Sequence, residues 1–143
     1  MRANKSILFA FKLITLCSVL YAQDTSYWGP WYVAVNGSDA TGDGSVNNPL
    51  ATIQAGINAS ISGDTILVGP GTYNEAIDYN TKRLAIISTD GASSTIIHYR
   101  NRNVTINSVG WSVFKGFTIT GEGLDNGIIP FGNSECLLED LVI

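Results

Sequence analysis

Three polar side chains in the middle of the sequence have the types that proton transfer and anion binding require. Asp78, His98 and Arg100 supply a carboxylate, the single imidazole of the chain and a guanidinium. Together they could exchange a proton with a substrate or hold a uronate. The alternative is a solvated surface on which Asp78 and His98 merely pair, because one isolated pair is far from a complete catalytic set. We therefore treat the three residues as a candidate polar patch and leave the catalytic residues unassigned.

A second candidate site lies in the segment G-S-D-A-T-G-D-G-S, residues 37–45. Asp39, Thr41 and Asp43 stand at alternate positions, as oxygen ligands do in the first half of a calcium loop. The bidentate acid that such a loop needs at its twelfth position would fall on Leu50, which has no ligating atom. Asp, Gly and Ser also form tight turns without any metal. A calcium ion bound here would therefore have a structural role only.

The glycine-rich turn V-G-P-G-T, residues 68–72, follows an apolar run and looks like a phosphate-binding loop. Such a loop needs a helix directly after its glycines, and usually a lysine, so that both face the anion. Residues 72–79 instead have the composition of a further strand, and the next lysine is Lys82. The sequence therefore predicts a corner between two strands and no nucleotide site.

The elements that must position these residues repeat along the chain. Two series of apolar residues share a spacing of twenty: Ile66, Ile86 and Ile106 form the first, and Ile77, Ile97 and Phe117 form the second. Alternate residues are apolar around each member, as at Ile77 and Tyr79, and this is the period of a strand. Strands that repeat in this way stack in parallel, turn upon turn, as a β-solenoid. In that register Asp78 and His98 would point outward on adjacent strands.

One segment has the periodicity of a helix. Asn48 suits the N-cap, Pro49 suits the first turn, and Gly63 can end the helix. The apolar positions that share one face are Leu50, Ile53, Ile57 and Ile61. We predict a helix over residues 49–61 that caps one end of the solenoid. It belongs to an N-terminal unit of residues 23–62, which precedes the early coils at 63–143.

Residues 1–22 have the layout of a secretory signal peptide. Arg2 and Lys5 precede an apolar run at 7–21, and Ala22 offers a small residue for cleavage. The run is too short to span a bilayer stably. We expect a secreted protein that is extracellular or attached to the cell surface, with no membrane span.

Removal of the signal peptide would leave a strongly acidic chain. Five basic residues would stand against twelve acidic ones, which gives a net charge of −7. Such a charge argues against nucleic acid as a partner and favours solubility. Cleavage would also remove Cys17, so Cys136 would have no partner for an intramolecular disulfide. The core and the backbone ladders must then hold the fold.

Four stretches carry a resemblance to a known group of secreted proteins: W-Y-V-A-V-N-G-S-D (31–39), N-P-L-A-T-I-Q-A-G-I (48–57), G-D-T-I-L-V-G-P-G-T-Y-N-E (63–75) and F-K-G-F-T-I-T-G (114–121). Together they resemble the opening of the pectin-lyase-like superfamily, which includes pectate lyases and chondroitinase B. The resemblance implies an all-β fold, a right-handed parallel β-helix with an N-terminal capping α-helix. In the lyases of that group the calcium-binding acids and the basic proton abstractor come from later coils, and no residue here matches them.

The segment L-L-E-D-L-V-I, residues 137–143, is typical of the middle of a coil. Leu141 and Ile143 take inward positions of the repeat, and no polar cap follows them. A solenoid that stops there exposes apolar side chains and open strand edges. We therefore expect a truncated β-helix whose open end is covered by a C-terminal continuation or by a partner.

Two classes of function stay open at this point. The first is a non-catalytic N-terminal portion of a secreted β-helix protein that binds extracellular polysaccharide or acts as a surface scaffold. The absence of a nucleophile elbow, a zinc-spaced set, a Walker motif and a close carboxylate pair favours it. The second is part of a polysaccharide lyase or glycoside hydrolase whose active site lies in later coils. The sequence does not specify the substrate, the organism or the oligomeric state.

Overall fold

The computed structural model describes residues 29–98, 104–107, 110–121, 128–130 and 134–143. The chain is mostly β within these ranges, with one short helix. The elements are β1 Trp31–Val33, α1 Ile53–Ala59, β2 Thr65–Val68, β3 Gly71–Tyr73, β4 Ile77–Asp78, β5 Ala85–Ser88, β6 Thr95–His98, β7 Val104–Ile106, β8 Gly110–Thr120, β9 Ile128–Pro130 and β10 Ser134–Val142. No helix in the described part of the chain is long and apolar enough to cross a membrane.

The named strands of the described ranges pair in parallel and form two sheets. In the larger sheet the order is β1-β2-β5-β8-β6-β3, and β10 also pairs with β8. The smaller sheet has the order β4-β7-β9. Parallel partners cannot be joined by a tight hairpin, so the chain makes a full excursion between them. This arrangement confirms the predicted parallel pairing of the strands.

The larger sheet curls because β8 pairs with two different strands, one after the other along its length. Its first half pairs with β5 and its second half pairs with β6. Gly116 lies between the two halves and has φ +81°, a left-handed conformation that glycine adopts without the clash of a Cβ. A Cβ at Gly116 would also lie 3.2 Å from the Cβ of Ser88. The strand therefore bends at this glycine, and the sheet bends with it.

The predicted spacing of twenty holds for the first pair of turns and then fails. Ile66 is the register partner of Ile86, as predicted. The next partner of Ile86 is Phe114 and not Ile106. Ile106 belongs to β7 in the smaller sheet. The failure has a simple cause: residues 89–94 connect β5 to β6, whereas only Gly69 and Pro70 connect β2 to β3, so the excursion from β5 to β8 uses more residues than the excursion from β2 to β5.

The second predicted series is wrong as a stack. Ile77 pairs with Val104 in the smaller sheet, whereas Ile97 pairs with Tyr73 and Ile119 in the larger sheet. These side chains are nevertheless buried. Alternation therefore predicted correctly that these two side chains face inward, although the period did not identify their neighbours.

The turn at residues 68–72 is a corner, as predicted. Gly69 and Pro70 lie between β2 and β3, and the hydroxyl of Tyr73 donates to the carbonyl of Gly69 at 2.9 Å. Gly71 has φ +144°, and a Cβ there would lie 2.5 Å from Cγ1 of Val35. A strand follows these glycines, so the turn lacks the helix that a phosphate loop requires.

The helix exists, but it is shorter than predicted. It begins at Ile53, and its N-cap is Thr52, whose hydroxyl accepts from the amide of Ala55 at 3.1 Å. Leu50 is extended instead, because it forms a parallel bridge with Val33. Ile61 was predicted to face the core, yet its side chain is 60% exposed. Tertiary pairing with β1 thus overrides the local preference of Pro49 and Leu50 for a helix.

The core fills the space between the sheets and the helix. Its fully buried large side chains include Tyr79, Phe114, Phe117 and several isoleucines. The rings of Phe114 and Phe117 are stacked, with centroids 4.5 Å apart. The hydroxyl of Tyr79 donates to the carbonyl of Val113 at 3.0 Å, which satisfies a polar group that burial would otherwise penalise.

Candidate functional site

The polar patch predicted at Asp78, His98 and Arg100 is not assembled as expected. Asp78 lies in β4 and has Thr105 as its register partner, whereas His98 lies in β6 opposite Thr120. The predicted stacking of His98 on Asp78 is therefore wrong, because the two strands belong to different sheets. Nδ1 of His98 is 3.0 Å from the hydroxyl of Thr120. Arg100 lies outside the described residues.

The predicted calcium ligands act as hydrogen-bond acceptors and donors within the loop. Both carboxylate oxygens of Asp39 accept from the helix entrance: Oδ1 from the amides of Ala51 and Thr52, and Oδ2 from the hydroxyl of Thr52. Asp43 accepts from the amide of Ser45, and hydrogen bonds from Ser45 lower the pKa of Asp43. These are the turn and capping roles that Asp commonly takes.

Thr41 completes the same loop without taking part in a ligand cage. Its hydroxyl donates to the hydroxyl of Ser38 at 3.0 Å. No group of three or more His, Cys, Asp or Glu side chains able to hold a metal occurs among the residues that the structure describes. The loop chemistry therefore fits turn formation better than it fits calcium binding.

Glu75 is a structural carboxylate that the sequence reasoning missed. Its two oxygens accept from the amides of Ile53 and Gln54 at 2.8 and 2.9 Å, which belong to the first turn of α1. Burial raises the pKa of Glu75, although these two amide hydrogen bonds oppose the rise. Glu75 and Asp39 thus supply negative charge where the helix exposes unpaired amides.

Lys82 makes the opposite contact at the other end of the helix. Its ammonium donates to the carbonyls of Ile57 and Ser60, the latter at 2.8 Å. A cation at a helix C-terminus interacts favourably with the free carbonyls there. Acids at one end and a lysine at the other therefore fix α1 against the strands.

An amide network joins the helix to the smaller sheet. Gln54 accepts from the amide of Asp78 and donates to its carbonyl, and it also contacts Asn58. The side chain of Asn80 donates to that of Asn58. The side chain of Asn107 accepts from the backbone amide of Thr81. These groups satisfy one another, and the carboxylate of Asp78 accepts from the amide of Asn80 at 2.8 Å, which indicates a structural role.

The outer face of the larger sheet carries a different kind of feature, an open groove. We call it the outer groove; it has a volume of about 340 Å³ and is lined by Gly63, Thr65, Arg83, Ala85 and Trp111. Thr65 and Ala85 are register partners on β2 and β5, and Ala85 is in turn the partner of Val113 on β8. The groove therefore runs across the strands, from the start of β2 to the start of β8.

Trp111 is the largest side chain of the outer groove and is 60% exposed. It precedes the buried Ser112 on β8, so strand alternation directs it outward. Arg83 lines the same groove, and its guanidinium makes no ion pair within the described ranges. An open aromatic face next to an available cation is an arrangement that binds the flat, partly apolar face of a polar ligand.

Gly63 lines the outer groove beside Arg83. It has φ +107°, and a Cβ built there would meet no atom within 4 Å. Its amide donates to the carbonyl of Arg83 at 2.7 Å, which brings the two residues side by side. Ile61, which is 60% exposed, lies two residues before this glycine.

A second depression adjoins the outer groove and shares Gly63 and Thr65 with it. Its volume is about 440 Å³, and Asp64 and Leu67 also line it. Asp64 is already engaged, because its Oδ2 accepts from the indole of Trp31 and from the amide of Ile61. Trp31 itself packs against the core, so this aromatic side chain has a packing role.

The comparisons with known proteins concern the first part of the described chain. Residues 35–81 match the family described as "Protein of unknown function (DUF1565)", a family associated with the right-handed β-helix fold. That segment contains α1 together with its capping acids Asp39 and Glu75, whereas Arg83 and Trp111 lie beyond it. The match therefore bears on the fold and leaves the outer groove unassigned.

A relative in Bacillus subtilis (strain 168), "Uncharacterized protein YwoF", is 33% identical over 75 residues. The aligned stretch covers 52% of this chain and 15% of that relative. No solved structure gives a significant match. The chain is thus similar, over about half its length, to a small part of a much longer bacterial protein.

Proposed function

We propose that this chain is the N-terminal portion of a secreted right-handed parallel β-helix protein that binds extracellular polysaccharide. The curled parallel sheet, the short helix and the family match at residues 35–81 support the fold part of the proposal. The pectin-lyase-like resemblance supports carbohydrate as the ligand. The layout of residues 1–22 supports export of the chain. In this proposal the chain binds or scaffolds and carries no catalytic set of its own.

The observation that carries the binding proposal is the outer groove. Its half-exposed indole, Trp111, offers a flat apolar face of the kind that stacks on a sugar ring. Arg83 can donate two parallel hydrogen bonds to a carboxylate or to vicinal hydroxyls. The groove crosses the strands, and neighbouring strands are about 4.8 Å apart. A polymer lying along it would meet Arg83 and Trp111 in succession.

An alternative is part of a polysaccharide lyase or glycoside hydrolase. The 15% coverage of the bacterial relative favours keeping this alternative, since an active site of the whole protein would then lie elsewhere. In that case the outer groove would be a distal binding subsite. Incubation of the whole protein with acidic and neutral polysaccharides, followed by measurement of new reducing ends and of unsaturated products, separates the two proposals.

The binding test compares the purified chain with Trp111→Ala in affinity gel electrophoresis against polygalacturonate and a neutral glucan. We expect Trp111→Ala to raise the Kd at least tenfold, a change of about 1.4 kcal/mol. Val46→Ala is the matched control, because Val46 is 63% exposed and lies outside both depressions. Equal retardation of the parent chain, Trp111→Ala and Val46→Ala would refute the groove as the site.

The export part of the proposal has its own test. Expression of the whole chain in a secreting bacterium, with sequencing of the N-terminus of the exported product, should give a first residue at Gln23. Retention of an intact Met1 inside the cell would refute it, whatever the binding assay shows.

A further inference from the structure

The outer groove and the second depression meet on the outer face of the larger sheet, and we call the two together the trench. Gly63 and Thr65 line both parts, so the parts join at the start of β2. From there the second depression extends towards Pro30, and the outer groove extends across β5 to Trp111 on β8. The centres of the two parts are one to two strand spacings apart, about 5–10 Å. Neighbouring units of one sugar chain could therefore occupy both parts at once.

The two parts of the trench carry opposite charges. Arg83 is exposed in the outer groove, where no described carboxylate forms an ion pair with it. Asp64 lines the second depression, and its Oδ2 accepts hydrogen bonds from two neutral donors, the indole of Trp31 and the amide of Ile61. Neutral donors leave the negative charge of Asp64 in place, and no cation of the described ranges pairs with it. The outer groove is therefore positive, and the second depression is negative.

The negative part of the trench also offers apolar surface. Ile61 is 60% exposed, and Leu67 lines the same depression. Leu67 alternates with the buried Ile66 and Val68, so it points to the outer face of the sheet. A small apolar group on a sugar, such as the methyl of an acetyl substituent, would be removed from water here. The second depression therefore suits an uncharged unit with an apolar substituent and opposes a unit with a carboxylate.

We propose that the trench selects a mixed polysaccharide, in which an acidic sugar at Arg83 and Trp111 is joined to an uncharged, acetylated sugar at Asp64 and Ile61. The inference rests on the proposed function, because it specifies which polymer the same groove takes. Arg83 attracts the carboxylate of the first unit, whereas Asp64 repels a carboxylate on the second. A repulsive group of this kind gives specificity against a competitor that carries an acid on every unit.

The experiment measures binding of three labelled hexasaccharides to the purified chain by fluorescence anisotropy. A hyaluronan hexasaccharide alternates glucuronate with N-acetylglucosamine, hexagalacturonate has an acid on every unit, and chitohexaose has an acetyl group on every unit and no acid. We expect the hyaluronan probe to bind about fivefold more tightly than either of the others, because each of them lacks one favourable contact or meets one repulsive charge. Fivefold is the size of an exposed charge interaction.

Three variants assign the preference to the two parts of the trench. Asp64→Asn keeps an oxygen for the indole and amide donors and removes the charge, so hexagalacturonate should gain about fivefold. Such a gain cannot come from a damaged fold. Arg83→Gln should weaken the two acidic probes about fivefold and spare chitohexaose. Ile61→Ser should weaken the two acetylated probes about threefold, as expected for one buried methyl group. Asp90→Asn, which removes an exposed acid outside the trench, should change nothing.

The outcomes separate this inference from the proposed function. Equal affinity of the parent chain for the hyaluronan probe and hexagalacturonate would overturn the selection, and so would the lack of a gain in Asp64→Asn. In either case weaker binding of every probe by Trp111→Ala would still support sugar binding in the outer groove. Equal losses in Ile61→Ser and in Val46→Ser, a control outside the trench, would overturn the place given to the acetyl group. Failure of all three probes to bind would overturn the proposed function and this inference with it.

Discussion

Glu75 gives the sharpest test of how this fold is held together. Its carboxylate accepts two amide hydrogen bonds at 2.8 and 2.9 Å from Ile53 and Gln54, the first residues of α1. A hydrogen bond to a charged group contributes about 1.5–3 kcal/mol, and part of this is offset by the cost of partly burying the carboxylate. We therefore expect Glu75→Ala to lower the free energy of unfolding by about 3 kcal/mol. Glu75→Gln removes the charge and keeps one acceptor, so it should cost less than Glu75→Ala.

The pH dependence of this effect has a definite sign. Burial raises the pKa of Glu75 in the folded protein above its ordinary value of 4.5. The folded state therefore holds the proton more tightly than the unfolded state, and the stability from proton uptake is complete below the unfolded pKa. This contribution is lost as the pH rises through the folded pKa. The stability difference between the parent chain and Glu75→Gln should then grow as the pH falls from 7 towards 4.5.

The assay is urea unfolding followed by far-UV circular dichroism at several pH values. Glu75→Ala should also lower the Tm by roughly 10 °C, given about 4 °C per kcal/mol for a chain of this size. Thr72→Ala is a suitable control, because Thr72 is an exposed residue on the neighbouring strand β3. A difference between the parent chain and Glu75→Gln that shrinks on acidification would refute the assignment of the raised pKa to this carboxylate.

Three further predictions concern other parts of the fold. Gly116→Ala should lower the free energy of unfolding by about 1–2 kcal/mol, because φ at this position is +81° and the added Cβ would lie 3.2 Å from the Cβ of Ser88. An unchanged urea midpoint would contradict this. Tyr79→Phe should cost about 1 kcal/mol, since it leaves the buried carbonyl of Val113 without its hydroxyl donor, and thermal melts measure the loss. A calcium chelator should leave the Tm unchanged, because Asp39 is committed to backbone amides; a drop of several degrees would revive the calcium loop.

The strand alternation could be predicted well from the sequence, whereas the identity of the stacked neighbours could not. Side chains such as Ile66, Ile97 and Phe117 are buried as the period of two requires. Their partners depend on how many residues each excursion uses, and that number changes because the connection from β5 to β6 is longer than the connection from β2 to β3. A constant period of twenty therefore placed His98 beside Asp78, although they lie on different sheets.

In the candidate site, too, the orientation of a side chain could be predicted from the sequence, whereas its neighbours could not. Trp111 could have been predicted to point outward, because it alternates with Ser112 and Phe114, which are buried. Its proximity to Arg83 and Gly63 could not be predicted, since these two residues precede different strands, β5 and β2, that are distant in sequence from β8. The roles of Asp39 and Glu75 were also hidden, because the amides they accept from are more than ten residues away along the chain.

The sequence alone determined the local properties of this protein: short strands, inward and outward faces, the corner at Gly69 and the acidic composition. These follow from the period of two, from glycine geometry and from residue charge, which act over a few residues. Tertiary structure alone decided where helix α1 begins, which carboxylates cap it and which outward side chains form the outer groove. Those outcomes depend on parallel register between distant strands, and no short stretch of sequence contains that register.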